Sequence, residues 1–421
     1  IFALSSGPPP AAISVVRISG PQAGSALVAL AGALPKPRRA ALRVLRNEAG
    51  EALDHALVLW FLGPGTATGE DLAELHLHGG RAVVAAVEGA LGKLPALRPA
   101  LPGEFTRRAF ANGRIDLAEA EGLADLLSAE TELQRRQAIA LAGGTFSASV
   151  TALRDDVLSA SALVEAALDF GDEEDVGAMP TELPARLAGL SDRLGTMLAA
   201  PQSEPLREGF RVVLAGPPNT GKSSLFNRLV EDEAAITAPV AGTTRDVLTR
   251  PVAIAGIPFL FADTAGLRES TSDGIEAIGI ERAHGAASRA DLVLWLGAEG
   301  QGVGASVWEI ESFADRGTMG KVDPRHRVSA TTGEGLDTLR MDLVETARGA
   351  MPAPGTVALN RRQRDLLGEA HAAIQEVQRS DDALIVAEGL RIARFAFDRL
   401  LGRAATEDML DTLFGRFCIG K

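Results

Sequence analysis

Gly216-Pro217-Pro218-Asn219-Thr220-Gly221-Lys222-Ser223-Ser224 stands between an apolar run, Arg211-Val212-Val213-Leu214-Ala215, and a stretch of helical spacing, Leu225-Phe226-Asn227-Arg228-Leu229-Val230. Strand, glycine-bounded loop and helix in that order are what a P-loop requires. Its backbone N–H groups and the helix N-terminus cradle phosphates, Lys222 reaches the β- and γ-oxygens, and Ser223 ligates magnesium. A nucleotide site is expected here. Apolar strand candidates recur at Pro258 to Ala262 and at Asp291 to Leu296. Strand–helix alternation of this kind implies a P-loop α/β domain over 209–350.

Two further segments separate GTP from ATP. Gly242-Thr243-Thr244-Arg245-Asp246 fits a switch loop whose Thr244 hydroxyl closes on magnesium and the γ-phosphate. Asp263-Thr264-Ala265-Gly266 ends the next apolar run, with Asp263 holding magnesium through water and the Gly266 N–H meeting the γ-phosphate. Order and spacing match the small GTPase plan. Ras-type enzymes place a Gln after that glycine to orient the attacking water, and Leu267 cannot do so. Hydrolysis then needs a carboxylate from elsewhere, with Glu269, Asp273, Glu276 and Glu281 nearest. GTPases read guanine with Asn/Thr-Lys-x-Asp. The nearest match, Gly320-Lys321-Val322-Asp323, lacks the first amide. Asp323 is the candidate guanine partner, loosened base specificity the alternative. Ser329-Ala330, followed by Thr331, fits the fifth GTPase motif.

The 421 residues predict two to four domains. Hydrophobic content of 46% with 23% charge is that of a soluble globular protein. One cysteine excludes a disulfide framework and fits a reducing cytoplasm. No apolar run approaches the ~20 residues of a membrane span, and the start Ile1-Phe2-Ala3-Leu4-Ser5-Ser6 lacks the marks of a signal peptide. A net charge of −13 gives no support for a nucleic-acid-coating surface, despite basic clusters at Lys36-Pro37-Arg38-Arg39 and Arg361-Arg362-Gln363-Arg364.

Residues 1–115 alternate short strands, Ala12 to Ile18 and Glu74 to His78, with a helix at Val83 to Leu91, and read as an α+β domain. Segments 116–208 and 351–421 have helical spacing, giving a helical domain split by the inserted α/β domain. In the first, Leu153, Val157, Val164 and Leu168 are expected on one face, and Gly143-Gly144 separates two helices. Asp172-Glu173-Glu174-Asp175 reads as a solvated run. His76 and His78 share one side of a strand and read as structural, and Trp60, Trp295 and Trp308 as core. Cys418 stands in the closing run Phe417-Cys418-Ile419-Gly420-Lys421, and Lys421 is one of five lysines. A lone thiol ordinarily behaves as a small apolar group, its reactivity set by local electrostatics.

Taken together, several segments resemble the MnmE (TrmE) family of tRNA-modification GTPases, over essentially the whole chain. They are Ile1 to Ser5, Val16-Arg17-Ile18-Ser19-Gly20, Gly69-Glu70-Asp71 with Glu74-Leu75, Pro102 to Phe110, Asn112 to Leu117, the P-loop with Asn219, Gly242 to Asp246, and Phe417 to Lys421. The resemblance implies an N-terminal domain that forms a homodimer and binds a 5-formyltetrahydrofolate-type one-carbon carrier through Arg17, Glu74, Arg114 and Lys421. Arg114 stands where the family usually has Lys, keeping the charge but changing the geometry. It also implies GTP contacts from Asn219, Thr220, Gly221, Lys222, Ser223 and Ser224. Further contacts are implied from Ala238, Pro239, Val240, Ala241, Gly242, Thr243 and Thr244, and from Asp263, Thr264, Ala265, Gly266, Asp323, Ser329, Ala330 and Thr331. Magnesium falls to Ser223 and Thr244. Potassium falls to Asn219, Ala238, Val240 and Thr243, doing the electrostatic work of an arginine finger. Glu276 matches the water-activating carboxylate. Cys418 matches the thiol at the modification site, as acid or nucleophile toward C5 of the wobble uridine in certain tRNAs, with an FAD-dependent partner, MnmG (GidA), supplying the redox step.

A rival from another class is a non-catalytic GTP switch resembling ribosome-assembly GTPases, which needs neither the folate residues nor Cys418.

Overall fold

The computed structural model describes residues 1–169, 180–231, 248–263, 285, 288–317, 320–352 and 358–421. The chain divides into two compact units: 1–124, 141–176 and 387–421 form one, and 125–140 with 177–386 form the other.

In the first unit, strands β1 (Phe2–Leu4), β2 (Ile13–Ser19), β3 (Ala41–Arg46), β4 (Ala52–Phe61) and β5 (Leu72–His78) form an antiparallel sheet in the order β1-β2-β5-β4-β3. Alternation decides its faces. Val16 and Ile18, Ala56, Val58 and Trp60, and Ala73, Leu75 and Leu77 are buried with Ala26, Leu27, Leu30, Val84, Val87 and Leu91 of the helices Ala23–Ala31 and Arg81–Leu91. Their neighbours Arg17, Glu74 and His76 therefore project from the other side. Arg17 is paired directly with Glu74 across β2 and β5.

The long helix Thr145–Asp169 buries Leu153, Val157 and Val164 as its spacing predicts, but Leu168 is exposed. Ala160 and Ala167 complete the buried stripe. The apolar line drifts around a helix of 3.6 residues per turn, so a strict four-residue step past Val164 leaves the core. Gly143-Gly144 does separate the helices Glu132–Ala142 and Thr145–Asp169. Arg154 Nε donates to Asp398 of the helix Ala383–Leu400 at 2.6 Å.

In the second unit, β6 (Phe210–Ala215), β7 (Leu248–Ile254), β8 (Ile257–Asp263), β9 (Leu292–Trp295), β10 (Val307–Glu311) and β11 (His326–Arg327) form a sheet in the order β11-β10-β9-β6-β8-β7. All neighbours are parallel except the β7–β8 hairpin. Leu225, Phe226 and Leu229 of the helix Lys222–Glu231, and Leu336, Leu339 and Leu343 of Leu336–Ala350, share one core with Val212, Leu214, Phe259, Phe261, Leu292 and Leu294. Trp308 joins that core, whereas Trp295 is half-buried with its indole N–H donating to the Ala298 carbonyl at 2.7 Å. The helices Leu183–Leu198 and Arg361–Val377 meet through Ser191 Oγ and His371 Nε2 at 3.1 Å. The second begins in a capping box, Asn360 Oδ1 accepting from the Gln363 N–H and Gln363 Oε1 from the Asn360 N–H. An α+β sheet layer, helical segments and a P-loop α/β sheet make this a multidomain protein.

Candidate functional site

The phosphate loop leaves β6 at Ala215, and its backbone is arched by Gly216 at φ 146°, Asn219 at φ 63° and Gly221 at φ 87°. A Cβ at Gly216 would lie 3.0 Å from the Gly297 nitrogen, so only glycine passes between loop and β9. Pro217 O is the keystone, accepting from Thr220 Oγ1 at 2.9 Å and from Lys222 Nζ at 2.6 Å. Lys222 is buried, its amine folded back over the loop where a phosphate chain is cradled. Ser223 Oγ donates to Asp263 Oδ2 at 2.7 Å. Asp263, buried at the end of β8, pairs with Leu214 of β6 in register. A hydroxyl and a carboxylate side by side at the carboxyl ends of two parallel strands are hard oxygen donors suited to magnesium.

The expected residues Ala238, Pro239, Val240, Ala241, Gly242, Thr243, Thr244, Thr264, Ala265, Gly266, Leu267 and Glu276, and the acidic run Asp172 to Asp175, lie outside the described residues. Ser329 is buried, its Oγ accepting from the Thr332 N–H at 3.2 Å. Asp323 is exposed, on a loop pinned by acids. Glu299 accepts from the Val322 and Asp323 N–H groups at 2.7 and 3.0 Å, and Glu311 from the Gly320 N–H. Lys321 is buried with its amine on the Trp295 carbonyl, at 2.7 Å, and on Glu309. The Val322 and Asp323 N–H groups hold Glu299 below its ordinary pKa. Burial alone would raise Glu311, but the Gly320 N–H and the Arg327 guanidinium outweigh it and lower its pKa.

The side chains that do lie on the phosphate loop were not foreseen. Ser312 Oγ donates to the Thr220 carbonyl at 2.6 Å, and the Phe313 ring lies 3.2 Å from where a Cβ on Gly221 would be. Both directly follow β10, a strand obscured in the sequence because Glu309 and Glu311 interrupt its apolar run.

In the other unit, Arg17 donates through Nε and Nη2 to Glu74 Oε1 at 3.2 and 2.9 Å, and His76 Nε2 is 3.3 Å from Glu74 Oε2. The Arg17 guanidinium lies 5.9 Å from the Phe105 ring centroid. The Phe105 N–H donates to the Lys421 carbonyl at 3.3 Å, and Ser5 Oγ to the Gly420 carbonyl at 2.9 Å. Gly420 has φ 96°, and a Cβ there would sit 2.1 Å from the Leu4 carbonyl oxygen. The closing segment is thus docked on β1, with Phe417 buried against Phe414 and Cys418 exposed. The helix Glu407–Phe414 supports it, Phe414 packing on Phe110 and Asp411 pairing with Arg107 at 2.7 Å. Arg17, Glu74 and the Lys421 backbone therefore converge. Arg114 packs instead against the Gly69 turn, which also receives Asn112 Nδ2 on the Thr68 carbonyl at 2.7 Å. His78 is bonded to Asp54 at 2.7 Å.

Glu104 anchors the helix that carries Phe105. Burial would raise its pKa, but the Arg98 fork, the Leu101 N–H and Arg108 outweigh it and hold the carboxyl at about 2, against an ordinary 4.5. A carboxyl depressed on folding stabilises fully above its unfolded value and loses that contribution as pH falls toward the folded one. Glu104→Gln is expected to flatten the acid limb of stability between about pH 4.5 and 2. The loss at neutral pH is roughly 1–2 kcal/mol once solvent screening is allowed for, read by denaturant melts across that range.

A model of the MnmE helical domain matches residues 117–418, and a model of the GTP-binding protein TrmE N-terminus matches residues 1–114. The tRNA modification GTPase MnmE of Erythrobacter litoralis is 60% identical over 422 residues, covering 100% of this chain and 99% of that protein. Proteins of the same name from Novosphingobium aromaticivorans and Rhizorhabdus wittichii are 59% and 57% identical, each over 100% of this chain and over 99% and 96% of their own lengths.

Proposed function

The chain belongs to the MnmE family of tRNA modification GTPases, and from that membership we infer that it couples GTP hydrolysis to modification of the wobble uridine of certain tRNAs. The observation that carries the reading is the 2.7 Å contact between Ser223 and Asp263, which joins the phosphate loop to the end of β8. It sets a magnesium-type donor pair beside the cradle of a nucleoside triphosphate.

Lys222 neutralises the β- and γ-oxygens as charge builds toward transfer, and the N–H groups from Asn219 to Ser224 hold them in place. Ser223 and Thr244, together with Asp263, would hold a magnesium ion, which would supply charge compensation for the leaving diphosphate. Asn219, Ala238, Val240 and Thr243 would hold potassium, which would supply the remaining positive charge. Glu276 takes the water-orienting role that Leu267 cannot. To Thr264, Ala265 and Gly266 we assign contact with the γ-phosphate, and to Ser329, Ala330 and Thr331 contact with the base.

Arg17, Glu74 and Lys421, with Arg114 on the adjoining turn, form the second site. A guanidinium and an acid on one sheet face, with the Phe105 ring of the helix Glu104–Ala111 near the guanidinium, suit a flat heteroaromatic ring with a carboxylate tail, as in a 5-formyltetrahydrofolate-type carrier. That carrier supplies the one-carbon unit of a carboxymethylaminomethyl-type group placed on C5 of the uridine. Cys418, exposed in the docked tail, serves as acid or nucleophile at the modification site. The chain acts in the cytoplasm as a homodimer with the FAD-dependent MnmG subunit. Among the described residues, no helix is long and apolar enough to cross a membrane.

The salt dependence of turnover tests the mechanism. GTP hydrolysis in potassium is expected to exceed that in sodium by ~10-fold or more. Glu276→Gln is expected to lower kcat by about 10²-fold with GDP affinity unchanged. Equal rates in the two salts would remove the potassium role, and an unaffected Glu276→Gln variant would remove the carboxylate.

A further inference from the structure

We propose that the exposed face of the helix Ala383–Leu400, with the loop that follows it, is a docking track for RNA. Arg394, Arg399, Arg403 and Arg416 hold phosphates, and the Phe395 ring stacks on an unpaired base. The inference rests on the tRNA-modification reading above and assigns part of the tRNA contact to named residues.

Charge comes first. The chain carries −13 overall, yet between Gly389 and Ala405 four arginines stand against one acid, Asp398. That acid is engaged internally, accepting from Arg154 Nε at 2.6 Å. Arg391 is forked onto Glu388 at 2.7 Å, and the pair adds no net charge. Among the described residues no carboxylate pairs with Arg394 or Arg403, nor with Arg416 of the closing run, and all three are exposed. A local concentration of guanidinium groups holds a polyanion whatever the net charge of the chain.

Helical spacing then exposes a ring among these charges. Residues 391, 395 and 399 follow at four-residue steps with 394 beside them, so they share one side of the helix. The opposite side, Ala393, Ala396, Phe397 and Leu400, is buried. Phe395 is thereby turned outward and is 48% exposed, with the Arg399 guanidinium 5.9 Å from its ring centroid. An aromatic ring held open among guanidinium groups is the composition of a single-strand surface, where bases stack and phosphates pair. An acidic protein could satisfy the arginines, but carboxylates offer Phe395 no flat face. RNA supplies both chemistries.

The track leads to the end of the chain. From residue 387 on, the helix, its loop and the closing run belong to the first unit. The Leu401 carbonyl accepts from the Leu117 N–H at 3.3 Å, and a Cβ on Gly402 would meet the Phe110 ring at 2.7 Å. Phe110 packs on Phe414 and Phe414 on Phe417, with centroids 6.0 and 6.1 Å apart. The loop bearing Arg403 and the run bearing Arg416 and Cys418 are therefore seated on one small core. A strand held along the helix is delivered to the segment in which the exposed thiol stands.

The test measures binding of an unmodified tRNA transcript to the full chain by fluorescence anisotropy across a salt series. Arg394→Gln with Arg403→Gln is expected to weaken binding by about 10-fold at low salt. The slope of log affinity against log salt is expected to fall in magnitude by about 1.5, the loss of two phosphate contacts. Phe395→Ala and Phe395→Leu are expected to weaken binding by about 10-fold with the slope unchanged, and Phe395→Tyr to bind as wild type. Arg348→Gln, exposed on the helix Leu336–Ala350 of the second unit, is the control expected to change neither. Wild-type rates of GTP hydrolysis are expected throughout and show that each variant is folded. An unchanged salt slope in the paired arginine variant, or full affinity in Phe395→Leu, overturns the proposal. So does lost tRNA modification with unaltered tRNA affinity, which would place a protein on this face. Unaltered wobble uridines in cells lacking the protein would instead overturn the reading on which the proposal rests.

Discussion

Lys222→Ala is expected to lower single-turnover GTP hydrolysis by at least about 10³-fold, the loss set by one fully charged donor on developing phosphoryl charge. The amine is buried and folded onto Pro217 O at 2.6 Å, so its charge acts in a low-dielectric setting and needs no reorganisation. The loop itself should survive the change, because Thr220 Oγ1 still donates to Pro217 O at 2.9 Å. Folding and GDP affinity should therefore fall far less than the rate. Lys222→Arg is not expected to restore activity, since a planar fork cannot take the path of a slender ammonium over the loop. A variant hydrolysing GTP within tenfold of the wild-type rate would show that the amine does not meet the phosphates.

The second large effect separates the two activities. Gly420→Val is expected to cut tRNA modification by about 10²-fold, the scale of a misplaced reacting group, while GTP hydrolysis stays within about threefold of wild type. At φ 96°, and with a Cβ 2.1 Å from the Leu4 carbonyl oxygen, no side chain fits unless the closing segment lifts away. Lifting it breaks the Ser5 contact and the bond between the Phe105 N–H and Lys421, and carries Cys418 away with the segment. Hydrogen exchange at the Phe105 amide reports the release directly. Full modification by a variant whose Phe105 amide has lost protection would show that the docked tail is not needed.

How far the sequence could be read depended on the range of the interaction. The P-loop is local: strand, bend and helix are written in consecutive residues, and β6, β8 and β9 fall where the apolar runs lie. The face of the first sheet was equally legible, because alternation alone places Arg17 and Glu74 opposite the core. β10 was not, since Glu309 and Glu311 turn toward Lys321 and Arg327 and break its apolar run. With that strand hidden, the contacts of Ser312 and Phe313 became visible only in three dimensions. Ser5 and Gly420 show the other limit: no periodicity links residues at opposite ends of a chain. The resemblance implied only that Lys421 joins Arg17 and Glu74, and the fit of Gly420 against the Leu4 carbonyl is visible only in the fold.

The burial of Lys222 and Lys321 has a practical corollary for chemical modification. With both shielded, the accessible lysine amines among the five are Lys36 and Lys93 at the surface and Lys421 in the docked tail. Amine-reactive labels, acylation and lysine cross-linkers thus have a short and readable target list. Lys421 becomes a built-in probe, its labelling rate rising when the tail leaves its seat, without any engineered tag.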